Sequence, residues 1–523
     1  MKKLKSLIHN GVLVPKKYEG QGFRIKIKGK TVNLTSEQEE MAVAWVKKLG
    51  TSYANDRVFV RNFFRDFRKA LNIKEKLSPE DFDFSEIKKH IDKEREIKLN
   101  LSREEKKKLA QERKKIREAN KEKYGYAFVD GLKVEVSNYV VEPPSIFMGR
   151  GKHPLRGRWK PGAKESDVVL NLSPDAPIPK GNWKEIVWQP NSMWIARWKD
   201  KLTNKQKYVW LSDSSYLKQM NDIKKFNKAN ELKERIHDLR AYIMANLSSK
   251  DVSRRKVATI SYLIDALKLR VGDEKDKDEA DTVGATTLRP KHVAIGANGK
   301  VIFNFLGKDS VRWRKEITLP EIVVNNLTEF IENAKSAIFE GVKSKHVNLF
   351  LSEVMPGLTA KVFRTYHASE VVKNFLINAK ISKTDPNFMK KHIAKMANLQ
   401  AAIVCNHKKK IPKNWRKSLE KKKERLRKLR TKKTKKSREA IKALRLKIKE
   451  MKATRDYNLR TSLKSYIDPR IYYEWGKKVE FDWKLYYPKA LQRKFSWVEQ
   501  GLINSPSSIE DKLGTNQNPQ HLT

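Results

Sequence analysis

The chain has 523 residues, 39% of them hydrophobic and 12 of them tryptophan, which is enough apolar material for more than one folded core. Its 114 Lys and Arg against 61 Asp and Glu leave a net charge of +53, a balance that calls for a polyanionic partner. No apolar run approaches the roughly 18 residues of a membrane-spanning helix. The basic start, Met1 to Gly11, lacks the apolar stretch of a signal peptide, and the single Cys405 excludes an internal disulfide and a cysteine-rich zinc site. The expectation is a soluble intracellular protein that binds nucleic acid and not membrane.

In chain order, Phe23 to Val32 alternates apolar and basic residues and reads as one half-exposed strand. Phe59, Phe63 and Phe67 recur at helical spacing, a stripe that packs into a core. Residues 85–124 are densely charged. Ser102 with Glu105 forms a capping box and Gly125 a stop, so two long solvated helices are expected. Pro143, Pro144, Pro154 and Pro161 then mark loops in a mixed segment. From about 200 to 408 the pattern is mostly helical, interrupted by a strand at Lys300 to Leu306.

Residues 408–452 hold 23 Lys and Arg against 4 Glu, a net of +19. Trp415, Leu419, Leu426 and Leu429 fall at helical spacing, as do Ile441, Leu444, Ile448 and Met451. Two amphipathic helices paired antiparallel through narrow apolar seams are expected, with the polar run Thr431 to Ser437 as their turn. An aromatic-rich piece follows, Trp475 to Trp497, and then a polar tail from Asn504 to Thr523 expected to lack order. There is no internal repeat.

Five polar residues together could cut a phosphodiester without metal: Arg270, Lys308, Arg364, His407 and Tyr466. Tyr466 supplies an oxygen nucleophile, though a free phenol titrates near ~10 and needs cationic surroundings to attack well. Arg270 and Arg364 can each grip two phosphate oxygens, and His407 can donate to another. Lys308 can act as general acid for the leaving 5′-oxygen. The phosphotyrosine formed has an energy similar to that of the phosphodiester lost, so religation needs no ATP. In agreement, Gly307-Lys308-Asp309-Ser310 is not a phosphate-binding P-loop, and no zinc helix is present. The acidic run Asp273 to Asp281 lacks the glycine of a calcium loop and reads as a solvated loop. No cofactor and no metal are expected. Taken singly, each of the five residues is ordinary. A charged side chain in so basic a chain is usually solvated, and a lone His or Tyr is usually structural.

The wording around the five is more specific. Leu269-Arg-Val-Gly-Asp-Glu274, Phe305-Leu-Gly-Lys-Asp-Ser-Val-Arg312, Gly357 to Tyr366, Ile403-Val-Cys-Asn-His407 and Thr461 to Arg470 resemble the core motifs of the cellular type IB DNA topoisomerases. Asn62-Phe-Phe64 and Glu142 to Pro154 resemble that family's DNA-covering lobe. The resemblance runs from about residue 10 to 500. It implies a multidomain α+β protein that clamps double-stranded DNA as a monomer. Residues 1–190 would form a mixed α/β cap, 191–408 an α-rich, tyrosine-recombinase-like catalytic core, 409–455 a helical-hairpin linker, and 456–503 a small α-helical domain delivering Tyr466. The implied activity is relaxation of positive and negative supercoils through a 3′-phosphotyrosyl intermediate and strand rotation, on chromosomal DNA in a nucleus or a nucleoid. The resemblance also implies DNA contacts from Arg150, Lys152, Asp309, Lys361 and Ser465, with Arg150 reaching the minor groove.

Two departures stand out. The family usually reads Ser-Lys-x-x-Tyr, whereas Ser462-Leu-Lys-Ser-Tyr466 has its lysine one place late. Ser465 stands where the family often has Asn beside the site of camptothecin-type poisons, so weakened sensitivity is expected. The short N-terminus, without a long charged tail, suggests a compact, archaeal-type form. Two other readings compete. A tyrosine recombinase shares the chemistry but not the basic helical insert or the large N-terminal half. An architectural DNA-coating protein would explain the charge but not the five motifs.

Overall fold

The computed structural model describes residues 3–149, 151, 153–272, 282–307, 311–431 and 434–499. They form two compact units, one up to Ser215 that combines helices with several small sheets, and one from Tyr216 that is mostly helical with a single small sheet among the described residues. Among the described residues no helix is long and apolar enough to cross a membrane.

In the first unit the aromatic stripe folds as read. The helix Arg57–Ala70 starts at Asp56, whose carboxylate accepts from the Val58 and Phe59 amides, and it buries Phe59, Phe63 and Phe67 completely. Trp45, from the helix Ser36–Val46, stacks on Phe63 at 4.7 Å between centroids. The run Phe23 to Val32 is not one strand. Arg24–Ile27 and Lys30–Asn33 pair as a hairpin, because Lys28 and Gly29 both take positive φ (48° and 80°) and close a two-residue turn. Phe82–Asp83 adds a third strand.

The two charged helices are Ser85–Asn100, pinned by buried Ile87 and Ile91, and Arg103–Tyr124, which buries none of its residues. Between them Ser102 Oγ accepts from the Glu105 amide at 3.1 Å, and the Glu105 carboxylate accepts from the Ser102 amide at 2.7 Å. The unit runs on past residue 190 to Ser215 because of its largest sheet. There Trp194–Lys199 pairs antiparallel with Val168–Asn171 on one side and with Gln206–Trp210 on the other.

The second unit opens with the helices Tyr216–Asn246, Val252–Leu267, Glu321–Glu332, Ser344–Val354, Ala360–Ile377 and Asn387–Val404. Its sheet puts the expected strand, Lys300–Gly307, between Val293–Ile295 and Val311–Thr318. The basic stretch forms the helices Trp415–Arg430 and Lys435–Ala453. They run antiparallel: Trp415 Nε1 donates to the Met451 carbonyl at 3.2 Å, and Leu419 and Leu444 are buried in the seam. Leu459–Ser465 and Pro469–Val479 follow, flanking Tyr466. The acidic run Asp273 to Asp281 and the tail Asn504 to Thr523 lie outside the described residues.

Candidate active site

Arg270 is placed by an abrupt helix end and a close backbone approach. The helix Val252–Leu267 stops at Lys268, which is left-handed (φ 59°), and buried Leu269 anchors the next step. The Arg270 carbonyl then accepts from the Ala285 amide at 2.8 Å. Two glycines permit this approach. A Cβ on Gly284 would lie 2.5 Å from the Gly272 Cα, so any side chain there would part the two segments.

Arg364 lies on the buried face of the helix Ala360–Ile377 and is only 4% exposed. Its Nη2 donates to the Cys405 carbonyl at 2.7 Å and meets His407 Nε2 at 3.1 Å. His407 follows the end of the helix Asn387–Val404, where Asn406 is left-handed (φ 50°) and turns the chain. Its Nδ1 lies 2.7 Å from Ser462 Oγ, on the helix Leu459–Ser465. Tyr466 caps that same helix. Its ring sits 5.1 Å from the His407 ring, and the Arg364 guanidinium lies 4.9 Å from its centroid. Ser369, five residues beyond Arg364 on the same helix, donates to the Tyr466 carbonyl at 3.3 Å and accepts from the Asp468 amide at 3.0 Å. Three helices thus converge on one tyrosine.

The hydrogen bonds determine the protonation pattern. A guanidinium can only donate, so His407 Nε2 is the acceptor and Nδ1 carries the proton toward Ser462. Burial, reinforced by the charges of Arg364 and Arg270, lowers His407 to about 3, so the imidazole is neutral throughout the neutral range. Burial also pushes the Cys405 thiol up, which leaves it inert.

Arg270, Arg364 and His407 line one cleft of about 90 Å³, together with Lys268 and Lys408. Among the described residues none that line it is acidic. Cations converging on a hollow whose described lining carries no carboxylate make a site for a phosphate-sized anion. Tyr466 is not on the cleft wall; its ring backs Arg364 and His407. No group of three or more His, Cys, Asp or Glu gathers where it could hold a metal among the described residues.

Four of the five catalytic candidates are therefore gathered in the second unit. Lys308 lies outside the described residues, although Gly307 and Val311 on either side of its loop pair with each other and line the cleft. Arg150, Lys152 and Asp309 also lie outside them. Lys361 is exposed on the first turn of the Arg364 helix, and Ser465 is the last residue of the tyrosine helix. The late lysine has a simple outcome: Leu463 is buried and Lys464 is exposed, one step around the helix.

Sequence reasoning missed the supporting residues Ser462, Ser369 and Asp265. Asp265 accepts from Arg240 Nε at 2.7 Å and from His367 Nε2 at 2.6 Å, one helical turn from Arg364. Burial alone would raise the Asp265 carboxyl, but the bonds from His367 and Arg240 hold it well below its usual range. The one available signal was the spacing of Arg364, His367 and Ala368 on a single helix face.

Three family models divide the chain among them. Residues 2–211 match the DNA binding fragment of eukaryotic DNA topoisomerase I, 214–440 its catalytic core, and 438–504 a C-terminal topoisomerase domain. The first two change over beside the Ser215 boundary of the compact units. Similar proteins include DNA topoisomerase 1 beta of Arabidopsis thaliana, 34% identical across 95% of this chain and 58% of that protein. DNA topoisomerase I, mitochondrial, of Rattus norvegicus is 33% identical across 95% of this chain and 91% of its own length. For DNA topoisomerase 1 of Homo sapiens the figures are 32%, 95% and 71%. The chain spans a little over half the length of its plant relatives. Arg270, Arg364 and His407 fall within the matched catalytic core and Tyr466 within the matched C-terminal domain, and the chain belongs to the eukaryotic DNA topoisomerase I family, the type IB topoisomerases.

Proposed function

We propose that the chain relaxes positive and negative supercoils in duplex DNA by cutting and resealing one strand, without ATP or metal. The observation that carries this reading is the packing of Arg364 and His407 on Tyr466 beside a cleft that Arg270, Lys268 and Lys408 also line. Tyr466 Oη attacks the phosphorus, and its proton leaves to water. The bond to the 5′-oxygen breaks, and Lys308 protonates the departing oxygen. The 3′-phosphate stays on Tyr466 while the free end rotates about the intact strand. Attack by the 5′-hydroxyl reverses every step.

Arg270 and Arg364 balance charge on the non-bridging oxygens. For His407 to donate there, it must take its other tautomer. Arg364 then turns to the phosphate, and the Ser462 hydroxyl donates to Nδ1, a reversal that the 2.7 Å contact already accommodates. Arg150, Lys152, Asp309, Lys361 and Ser465 contact the duplex in this reading. Residues 1–190 act as the cap, 191–408 as the core, 409–455 as the linker and 456–503 as the tyrosine domain of a monomeric clamp.

The test is relaxation of supercoiled plasmid in EDTA without ATP, with wild type beside Tyr466→Phe. Wild type relaxes both signs of supercoil, and the variant binds DNA but neither relaxes it nor forms a covalent complex. Relaxation by both proteins would show that another residue is the nucleophile. Binding without relaxation by wild type would leave only an architectural role.

A further inference from the structure

The helix Arg57–Ala70 turns its aromatic residues into the core of the first unit, and Arg57, Arg61, Arg65 and Arg68 run along another face at steps of three and four residues. The first three are exposed. The stripe borders a groove of about 360 Å³ whose floor is apolar, made by Val60, Phe64 and Leu77.

The acids on and beside this helix do not neutralise the stripe. Asp56 caps the first turn and holds Arg156 at 2.7 and 3.0 Å. Asp66 holds Arg158 Nε at 2.6 Å and the Trp159 amide at 2.9 Å, and approaches Arg65 only at 3.7 Å. The Glu75 carboxylate pairs with Lys28 and gives Arg68 only its backbone carbonyl. Arg57 and Arg61 have no ion pair among the described residues, and Arg68 Nε is buried without a hydrogen-bond partner. Four guanidiniums over an apolar floor, with the carboxylates of Asp56, Asp66 and Glu75 held mainly by other partners, form a surface complementary to something both acidic and apolar.

We propose that this groove docks an acidic amphipathic segment of a partner protein, carboxylates on the arginines and apolar side chains on the floor. The spacing suits it. Four-residue steps along a helix advance about 6 Å, close to the roughly 6.6 Å between alternate residues of an extended strand. Arginine's planar fork takes a carboxylate through two bonds. Nucleic acid fits less well, because a phosphate backbone has no use for the floor. Phe64, 4% exposed and held edge-on by Trp45 and Phe63 at 5.0 and 5.3 Å, offers no open face for a base to stack on.

The test uses the full chain and a fluorescent peptide in which Asp and Glu alternate with Leu and Phe, read by anisotropy. A chain this basic attracts any anion weakly, so the comparison is between two charge reversals of equal size. One is Arg61→Glu with Arg65→Glu in the groove. The other is Lys107→Glu with Lys108→Glu on the exposed helix Arg103–Tyr124. Losing two charge-assisted contacts should weaken the peptide about tenfold or more in the groove variant, and less than about twofold in the control. A peptide with Ser in place of Leu and Phe should bind wild type no better than the groove variant binds the original. Melting curves matching wild type establish that both variants fold. Equal losses in both variants, or equal binding of the Ser peptide, would overturn the proposal. So would an oligonucleotide that displaces the peptide and is itself weakened by the groove reversal, which would make the surface a nucleic-acid one.

Discussion

The cleft lined by Arg364 and His407 and the basic helical hairpin both rest on positive charge, yet the charge behaves oppositely in the two places. Arg364 is 4% exposed, and its Nη2 is matched to the Cys405 carbonyl and to His407. In the hairpin the cations sit on outer faces, and its cohesion comes from a narrow seam around Leu419 and Leu444. A buried cation is held by geometry and is sensitive to small changes. A solvated one acts only in sum, through phosphates and salt.

The sharpest way to break the comparison is Arg364→Lys. Lysine keeps the charge, but a single ammonium cannot bridge Cys405 and His407 and also cover the Tyr466 ring. Single-turnover cleavage should fall roughly 10²–10³-fold, while DNA binding at fixed salt stays near wild type. Cleavage within a few-fold of wild type would mean that charge alone suffices and the geometry is incidental.

Glu450 sharpens the contrast, because it is the hairpin's one inward-facing acid with the character of the cleft. Its side chain is 14% exposed, and its two oxygens meet His392 Nδ1 at 2.9 Å and Lys395 Nζ at 2.7 Å, both on the helix Asn387–Val404. That helix also holds the start of the tyrosine helix, through Asn398 Nδ2 to the Leu459 carbonyl at 3.2 Å. Glu450→Gln removes the negative charge that faces Lys395 and leaves one acceptor oxygen where there were two, at a local cost of about 1–3 kcal/mol. Hydrogen exchange in Lys435–Ala453 should speed up by roughly one to two orders of magnitude, the same figure converted at 1.4 kcal/mol per tenfold. Unchanged exchange would show that the apolar seam alone holds the hairpin down.

How much of this was legible follows from the range of each interaction. The Phe59, Phe63 and Phe67 stripe, the Ser102–Glu105 box and the two hairpin helices are local patterns, and all three are present in the structure. The turn at Lys28–Gly29 was not legible, because nothing in a lysine announces a positive φ. Val311–Thr318 was missed because Lys315, on the face shared by Val311, Trp313 and Ile317, interrupts the alternation that marks a strand. In the site, motif wording singled out Arg364, His407 and Tyr466. Ser462 and Ser369 act through partners 55 and 97 residues away, which only the fold brings together.

The smallest effect is expected where the charge is densest. Lys421 is exposed on the helix Trp415–Arg430. Lys421→Gln removes at most one phosphate contact, so the slope of log affinity against log salt should change by about 0.9 or less. Cleavage at low salt should not change, because no bond in the cleft depends on it. Reversing several such lysines together should slow relaxation in proportion to the slope lost, since the hairpin's charges act additively through the same counterions. If Lys421→Gln alone slowed cleavage as Arg364→Lys does, the hairpin would be part of the catalytic geometry, and buried and solvated charge would not be separable here.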